Sequence, residues 1–383
     1  MRVQPYAALG GFYFFYFAFV GAFSPYWSLY LRHLGYAAAQ IGLLMSLLQV
    51  MRIFAPNAWG WLADHTGRRA GIVRVAALLG LIGYIGVFFG ESFAWMLLVM
   101  GVMSFFWSAS LPLVEAITFS HLGARTGAYG RIRSWGSVGF IATVVGVGYL
   151  LDYVAITALL WVVLLLKVGV AGAAVAIQDP GAVKAETETA PLRAILRRPE
   201  VLALMGACFL MAAAHGPYYV FFSIYLVDTG YPKSWVGWLW ALGVICEIAV
   251  FFLMPRLSAR FSGKQILVFS FGCAVVRFLL VAFFVESLAM MLLAQVLHAA
   301  TFGSYHAAAV AAFHRHFTGR HQTRGQALYT SVSFGAGGTL GSGLSGFAWE
   351  TVGSSVTFAL CAAAALAGGA LLAWKFGPDE PAR

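Results

Sequence analysis

Charge is what this sequence has least of. Aspartate and glutamate number 14 among 383 residues, and charged residues of both signs make up 10%, against about 25% in a soluble domain. A globule of this length surrounded by water is thereby excluded. Cysteine is scarce as well. Cys208, Cys246, Cys273 and Cys361 all fall inside long apolar runs at no metal-ligand spacing, so they read as small apolar packing residues, not as a disulfide framework or a metal centre. Alternating apolar and polar segments are missing, which excludes a β-barrel. There is no Walker loop and no nucleophile-base arrangement in usable context, so ATP-driven pumping and membrane-embedded catalysis both lack their parts. The glycine-rich "FGAGGTLGSGLSG" (334–346) lies inside an apolar run with no strand before it, and small residues in close helix packing explain it better than a dinucleotide loop. "HRHFTGRH" (314–321), with His314, His316 and His321, reads as a basic loop facing anionic lipid. Neither an enzyme, nor a cofactor, nor a metal is expected.

What the chain does have is hydrophobic residues, 61% of the total, gathered into blocks long enough to cross a hydrocarbon layer of about 30 Å as helices. Twelve spans are expected near 6–30, 39–62, 72–90, 94–119, 134–151, 154–177, 201–226, 235–254, 266–285, 289–313, 327–348 and 354–376. The first is too long and too aromatic for a secretory leader and has no small-residue cleavage site, so it is expected to stay. The net charge of +10 does not point to nucleic acid, because of where it lies. Eighteen Lys and Arg residues fall on one face of the membrane and only Arg32 and Lys233 on the other. By the positive-inside rule both termini are expected in the cytoplasm, in a chain that crosses the bilayer many times.

The chain also repeats itself. At an offset of 195, "WSLYLRHLGYAAAQIGLL" (27–44) meets "FSIYLVDTGYPKSWVGWL" (222–239), and "ESFAWMLL" (91–98) meets "ESLAMMLL" (286–293). An offset of six spans gives two halves in the same membrane orientation. The expected domains are a six-helix bundle over 1–177, a polar cytoplasmic link over 178–200 and a second six-helix bundle over 201–383 in a functional monomer. The predicted fold is all-α, with twelve transmembrane helices in two parallel six-helix pseudo-repeats.

Between spans 2 and 3, "GWLADHTGRR" (60–69) resembles the signature loop of the major facilitator superfamily. Gly60 would allow close helix approach. Asp64 would accept hydrogen bonds from a neighbouring helix N-terminus or pair with Arg68, and Gly67, Arg68 and Arg69 complete a conformational gate. "LPLVEA" (111–116) with "YGRIRSWGS" (129–137) resembles the lactose permease and oligosaccharide/proton symporter branch, where this Glu and Arg form the ion pair that contacts substrate. "AHGPYYVFFSIYL" (214–226) and "VLHAATFGSYHAAAV" (296–310) are similar to the phenylpropionate permease members of that branch. The resemblance implies a carrier working by alternating access and driven by protons. Glu115 and Arg133 would be a substrate-contacting pair, Glu247 and Arg277 a second pair, and His298 the coupling histidine, with Glu247, Glu115 and His298 sharing the proton. Thr301 stands where the branch has its proton-releasing glutamate, and Gln295 where it has a lysine.

An ionised group in hydrocarbon needs a partner or a cavity. Arg52, related to Glu247 by the 195 offset, is expected to line the cavity, and Lys167 to snorkel or to meet a backbone carbonyl. Arg52, Arg133 and Arg277 against Glu115 and Glu247 leave a positive excess, which favours an anion; guanidinium suits a carboxylate. Trp107, Tyr218, Tyr219 and Tyr305 would favour an aromatic ring. The best single expectation is proton symport of an aromatic carboxylate such as phenylpropionate. A sugar or nucleoside symporter is the alternative, and a proton-driven exporter or a non-transporting receptor comes below it.

Overall fold

The computed structural model describes residues 4–123, 125, 128–179, 195–317 and 321–377. Among these there are helices and turns and no strand, as a backbone without access to water requires. In chain order the helices are α1 (Gln4–His33), α2 (Ala38–Thr66), α3 (Arg69–Ile85), α4 (Phe93–Leu122), α5 (Tyr129–Tyr153), α6 (Ala158–Ala176), α7 (Pro199–Asp228), α8 (Lys233–Arg260), α9 (Gly263–Phe283) and α10 (Leu288–His316). A last helical stretch begins at His321 and ends at Lys375. It is broken at Gly353, whose φ of 81° no helix accommodates, and so forms α11 over 321–352 and α12 over 354–375. Among the described residues eleven stretches are long and apolar enough to cross a bilayer, and the last, at 52 residues, has the length for two crossings.

The chain divides into two compact units, Met1–Ala185 with Pro232–Trp238, and Glu186–Tyr231 with Leu239–Arg383. In the first, α1 packs on α5 and α6, and α4 on α2 and α3. In the second, α7 packs along α11 and α12, and α9 packs on α10 and the last helices.

Each unit carries the same local device where the sequence repeats. In the first, α1 is followed by Gly35 with φ 82°, and the Tyr36 hydroxyl donates to the carbonyl of Glu91 at 2.6 Å. In the second, α7 is followed by Gly230 with φ 98°, and the Tyr231 hydroxyl donates to the carbonyl of Val285 at 3.0 Å. The Tyr36 and Tyr231 amides reach back to the carbonyls of Leu31 and Leu226, five residues earlier, closing a Schellman-type cap. Only glycine takes a left-handed φ without strain, which explains the recurring Gly-Tyr pair.

The glycine-rich run belongs to α11 and lies against α7. A Cβ on Gly341 would fall inside the radius of the Ala213 carbonyl oxygen, so the two backbones touch. α10 and α11 each contain one wide π-helical turn, Ala299–Ser304 and Ser331–Gly337. These turns bring Phe302 and Phe334 within 6.4 Å of each other.

Candidate functional site

In the first unit the candidate groups gather where α1, α4 and α5 meet. Glu115, half-buried on α4, accepts a hydrogen bond from the Tyr129 hydroxyl at 3.3 Å. Arg133, one turn along α5 from Tyr129, does not close on Glu115. Its guanidinium lies 3.8 Å from the centre of the Phe17 ring and 5.5 Å from that of Tyr13. The expected Glu115–Arg133 ion pair is therefore not made here: aromatic faces take the cation and a phenol takes the carboxylate. Thr118 donates to the Val114 carbonyl at 2.7 Å, so its Oγ1 is left to accept from the Tyr13 hydroxyl at 3.1 Å.

Trp107 stacks on Tyr16, with ring centres 3.9 Å apart and planes 10° from parallel, and lies 4.2 Å from Phe19. Beside this stack is Lys167 of α6. Its ammonium sits 4.5 Å from the Phe19 ring centre and 4.8 Å from that of Trp107, and the residue is 3% exposed. Lys167 thus neither snorkels nor donates to a backbone carbonyl, the two arrangements expected of it. Gly80, facing the amine, leaves room for it inside the bundle, and the two ring faces stand in for water. Arg52 donates to Gln49 at 3.1 Å within α2.

At the arginine-bearing end of this unit, Gly67 closes α2 with φ 64° and its amide returns to the Ala63 carbonyl at 2.9 Å. Arg68 is exposed and Arg69 opens α3. The Asp64 side chain lies outside the described residues, and a Cβ on Gly60 meets nothing within 4 Å, so the close approach expected at that glycine is not made. Asp179 instead accepts from the Ala70 amide at the start of α3, at 2.7 Å. Arg74 donates to the Ile177 carbonyl, and His121 to that of Gln178 at 2.9 Å. Three consecutive residues after α6 are thus tied to α3 and α4, a strap that no sequence motif announced.

The second unit holds the denser cluster, centred on Tyr218. Arg277 is 0% exposed and stacks its guanidinium 4.1 Å from the Tyr218 ring centre. Its Nε donates to the Ala294 carbonyl at 3.2 Å, and one Nη to His215 Nε2 at 3.2 Å and to Thr301 Oγ1 at 3.4 Å. His215 Nδ1 is 2.8 Å from the Met211 carbonyl, so that nitrogen carries the proton and Nε2 is free to accept. The expected Glu247–Arg277 pair is not formed. Glu247, half-buried on α8, lies against the wide turn of α10, where a Cβ on Gly303 would come within 3.2 Å of its side chain.

The Tyr218 hydroxyl donates to Gln295 Oε1 at 2.9 Å, and His298, Trp240 and Phe222 surround its ring at 6.0, 5.0 and 4.7 Å. Three buried polar atoms in this cluster lack a hydrogen-bond partner: the second Nη of Arg277, Nε2 of Gln295 and Nδ1 of His298. Each such group costs roughly 1–3 kcal/mol. Tyr219 is half-buried beside Trp240. Tyr305 lies apart, against Phe271, with a buried hydroxyl.

Sequence reasoning missed Tyr129, His215 and Asp179. His215 had a usable signal, because it precedes Tyr218 and Tyr219 by three and four residues and so shares their helix face. Among the described residues no group of three or more His, Cys, Asp or Glu could hold a metal ion.

The family model described as the MFS_1 like family matches residues 6–360. The "Probable 3-phenylpropionic acid transporter" of Escherichia coli (strain K12) is 31% identical over 361 residues, 91% of this chain and 92% of that one. The "Maltose permease" of Geobacillus stearothermophilus is 26% identical over 274 residues, 70% of this chain and 68% of that one. Among solved structures, the nucleoside transporter NupG superposes with a TM-score of 0.84, covering 98% of this chain and 99% of that one. It is 16% identical, a likeness of fold alone.

Proposed function

This chain belongs to the MFS_1 like family of multi-pass membrane transporters, and from that premise we propose that it takes up a small aromatic carboxylate together with protons by alternating access. In this reading it works as a monomer in the bacterial inner membrane with both termini in the cytoplasm. The observation that carries the proposal is Arg277. A guanidinium removed from water is expensive unless a counter-charge meets it. Arg277 has a fully buried one, with a spare N–H and no carboxylate among its partners. A solute carboxylate offers acceptor positions to Arg277, Gln295 and His298 at once, and the rings of Tyr218, Tyr219, Phe222 and Trp240 offer apolar faces to an aromatic body.

The relative whose name mentions 3-phenylpropionic acid supports this solute class. Glu247 and Glu115 are the acids available to exchange protons, and His298 lies between the cluster and the wide turn of α10. In the first unit, Trp107 and Tyr16 beside Glu115 and Arg133 form a second aromatic and charged surface of the same character.

The maltose permease relative keeps a neutral solute as the competing reading. Both are tested by the pH of lightly buffered medium around proteoliposomes on adding 3-phenylpropionate, a hydroxycinnamate, a nucleoside or a disaccharide. External alkalinisation with the aromatic acids alone, abolished by Glu247→Gln, is the expected result. Alkalinisation with only the nucleoside or disaccharide would replace the solute class. Full proton-driven accumulation by Glu247→Gln would remove that residue from coupling.

A further inference from the structure

One cavity lies outside the clusters described above. At the arginine-bearing end of the first unit, α1 and the start of α5 border an open groove of about 1030 Å³. Its floor and walls are apolar or small, with Gly11, Phe14, Ile132 and Trp135 among them. Two arginines, Arg125 and Arg131, stand at its rim, both exposed, and no acidic residue is among its described lining. Arg125 is held in place: its Nη2 donates to the Tyr6 hydroxyl at 2.8 Å. Trp135 is 54% exposed, and Val138, one turn on along α5, 49%. Apolar exposure of this kind suits lipid tails in a chain whose helices are long and apolar enough to cross a bilayer. A Trp and a Tyr beside arginines at a helix end mark the level of the headgroups.

The groove thus has two parts in the order in which a phospholipid presents them. The guanidinium pair lies at the water boundary, where a phosphate sits, and the apolar trough continues along α1 toward the bilayer interior, where an acyl chain sits. Glycine makes the trough, because a side chain built on Gly11 meets nothing within 4 Å and would occupy it.

We propose that this groove is a binding site for an anionic phospholipid, with Arg125 and Arg131 on the headgroup phosphate and an acyl chain lying over Gly11 between α1 and α5. Juxtamembrane arginines attract anionic headgroups with an energy that corresponds, for two of them, to about 30-fold in affinity.

The test is native mass spectrometry of the delipidated full-length protein titrated with phosphatidylglycerol or with phosphatidylethanolamine. The expected result is phosphatidylglycerol retained preferentially, about 30-fold more weakly by the Arg125→Gln/Arg131→Gln double variant, and retained poorly by Gly11→Leu, which fills the trough and leaves both arginines. Glycerol phosphate, a headgroup without chains, should not compete. Melting temperatures in detergent identify any variant that fails to fold, and in that case Tyr6→Phe, which frees Arg125 without removing its charge, replaces it and should weaken retention severalfold. Equal retention of the two lipids, undiminished retention by the folded variants, or displacement by glycerol phosphate would each overturn the proposal.

Discussion

Replacing Arg277 by methionine should leave the empty protein about as stable as before while removing its affinity for an aromatic acid. The side chain makes three hydrogen bonds at 3.2, 3.2 and 3.4 Å. At these lengths each sits at the weak end of the range for a charged donor, about 1.5 kcal/mol, or roughly 4–5 kcal/mol together. Against this stands the cost of holding a charge out of water, several kcal/mol even after relaxation. Methionine keeps most of the apolar stem and abolishes both terms, so the net change should fall within about 2 kcal/mol of zero. The partners left behind have alternatives: His215 Nε2 lies 3.4 Å from Thr301 Oγ1, and Thr301 also reaches the His298 carbonyl at 3.3 Å.

Binding has no such compensation. Losing a desolvated charged contact costs about 2–5 kcal/mol, which is roughly 30- to 5,000-fold in Kd. The assay is thermal unfolding in detergent with and without 3-phenylpropionate, followed by tryptophan fluorescence, with calorimetry for Kd. The natural protein should gain about 2.7 kcal/mol at a solute concentration about 100 times its Kd, and at the same concentration Arg277→Met should gain about 0.9 kcal/mol at most. A variant that unfolds outright would show that the guanidinium is a structural tie, and one that binds within about fivefold would show that it does not meet the solute. Either result refutes the reasoning.

Lys167→Met should stabilise the first unit by about 1 kcal/mol or more, since a buried ammonium without a carboxylate among its partners gives way to an apolar chain of similar length; a lowered melting temperature would contradict this. Gly341→Val should prevent α7 and α11 from closing and reduce folded yield, measured by monodisperse recovery in detergent, because the added carbons would occupy the place of the Ala213 carbonyl. At the turn after α1, burial and then the charge of Glu91 hold the Tyr36 hydroxyl above its ordinary value of 10.0. Its contribution is therefore complete below that pH and is lost as pH rises through the higher folded-state value, and Tyr36→Phe should cost about 1 kcal/mol near neutrality and flatten the alkaline limb of stability against pH.

The helices were legible in the sequence because hydrocarbon imposes a length on apolar runs, and the repeat was legible because Gly35 and Gly230 must both be glycine. Arg277 and His298 were legible as site residues by resemblance, and the structure brings both to Tyr218. Their partners were not. Side chains of opposite charge invite pairing on paper, yet Arg133 meets Phe17 and Glu115 meets Tyr129, because in a bundle this rich in rings an aromatic face or a phenol is often the nearer partner. Lys167 escaped for the same reason: spacing along a helix says where a residue lies, but not that two rings will enclose its amine. The strap at 177–179 rests on two backbone carbonyls, which every residue has, and on the carboxylate of Asp179, a lone acid whose partner is a backbone amide; no composition reveals either.

The wide turns in α10 and α11 give those helices a freedom that ordinary ones lack. A regular helix can bend or slide as a rod, but a turn that holds an extra residue stores slack. If that slack passes one residue along the chain, the residue it passes turns by about 100° about the helix axis, while the segments on either side keep their orientation and the backbone stays hydrogen-bonded. His298 immediately precedes one such turn and Phe334 lies within the other. Passage of the α10 turn over His298 would change the side chain which that helix presents to Tyr218 without unwinding it.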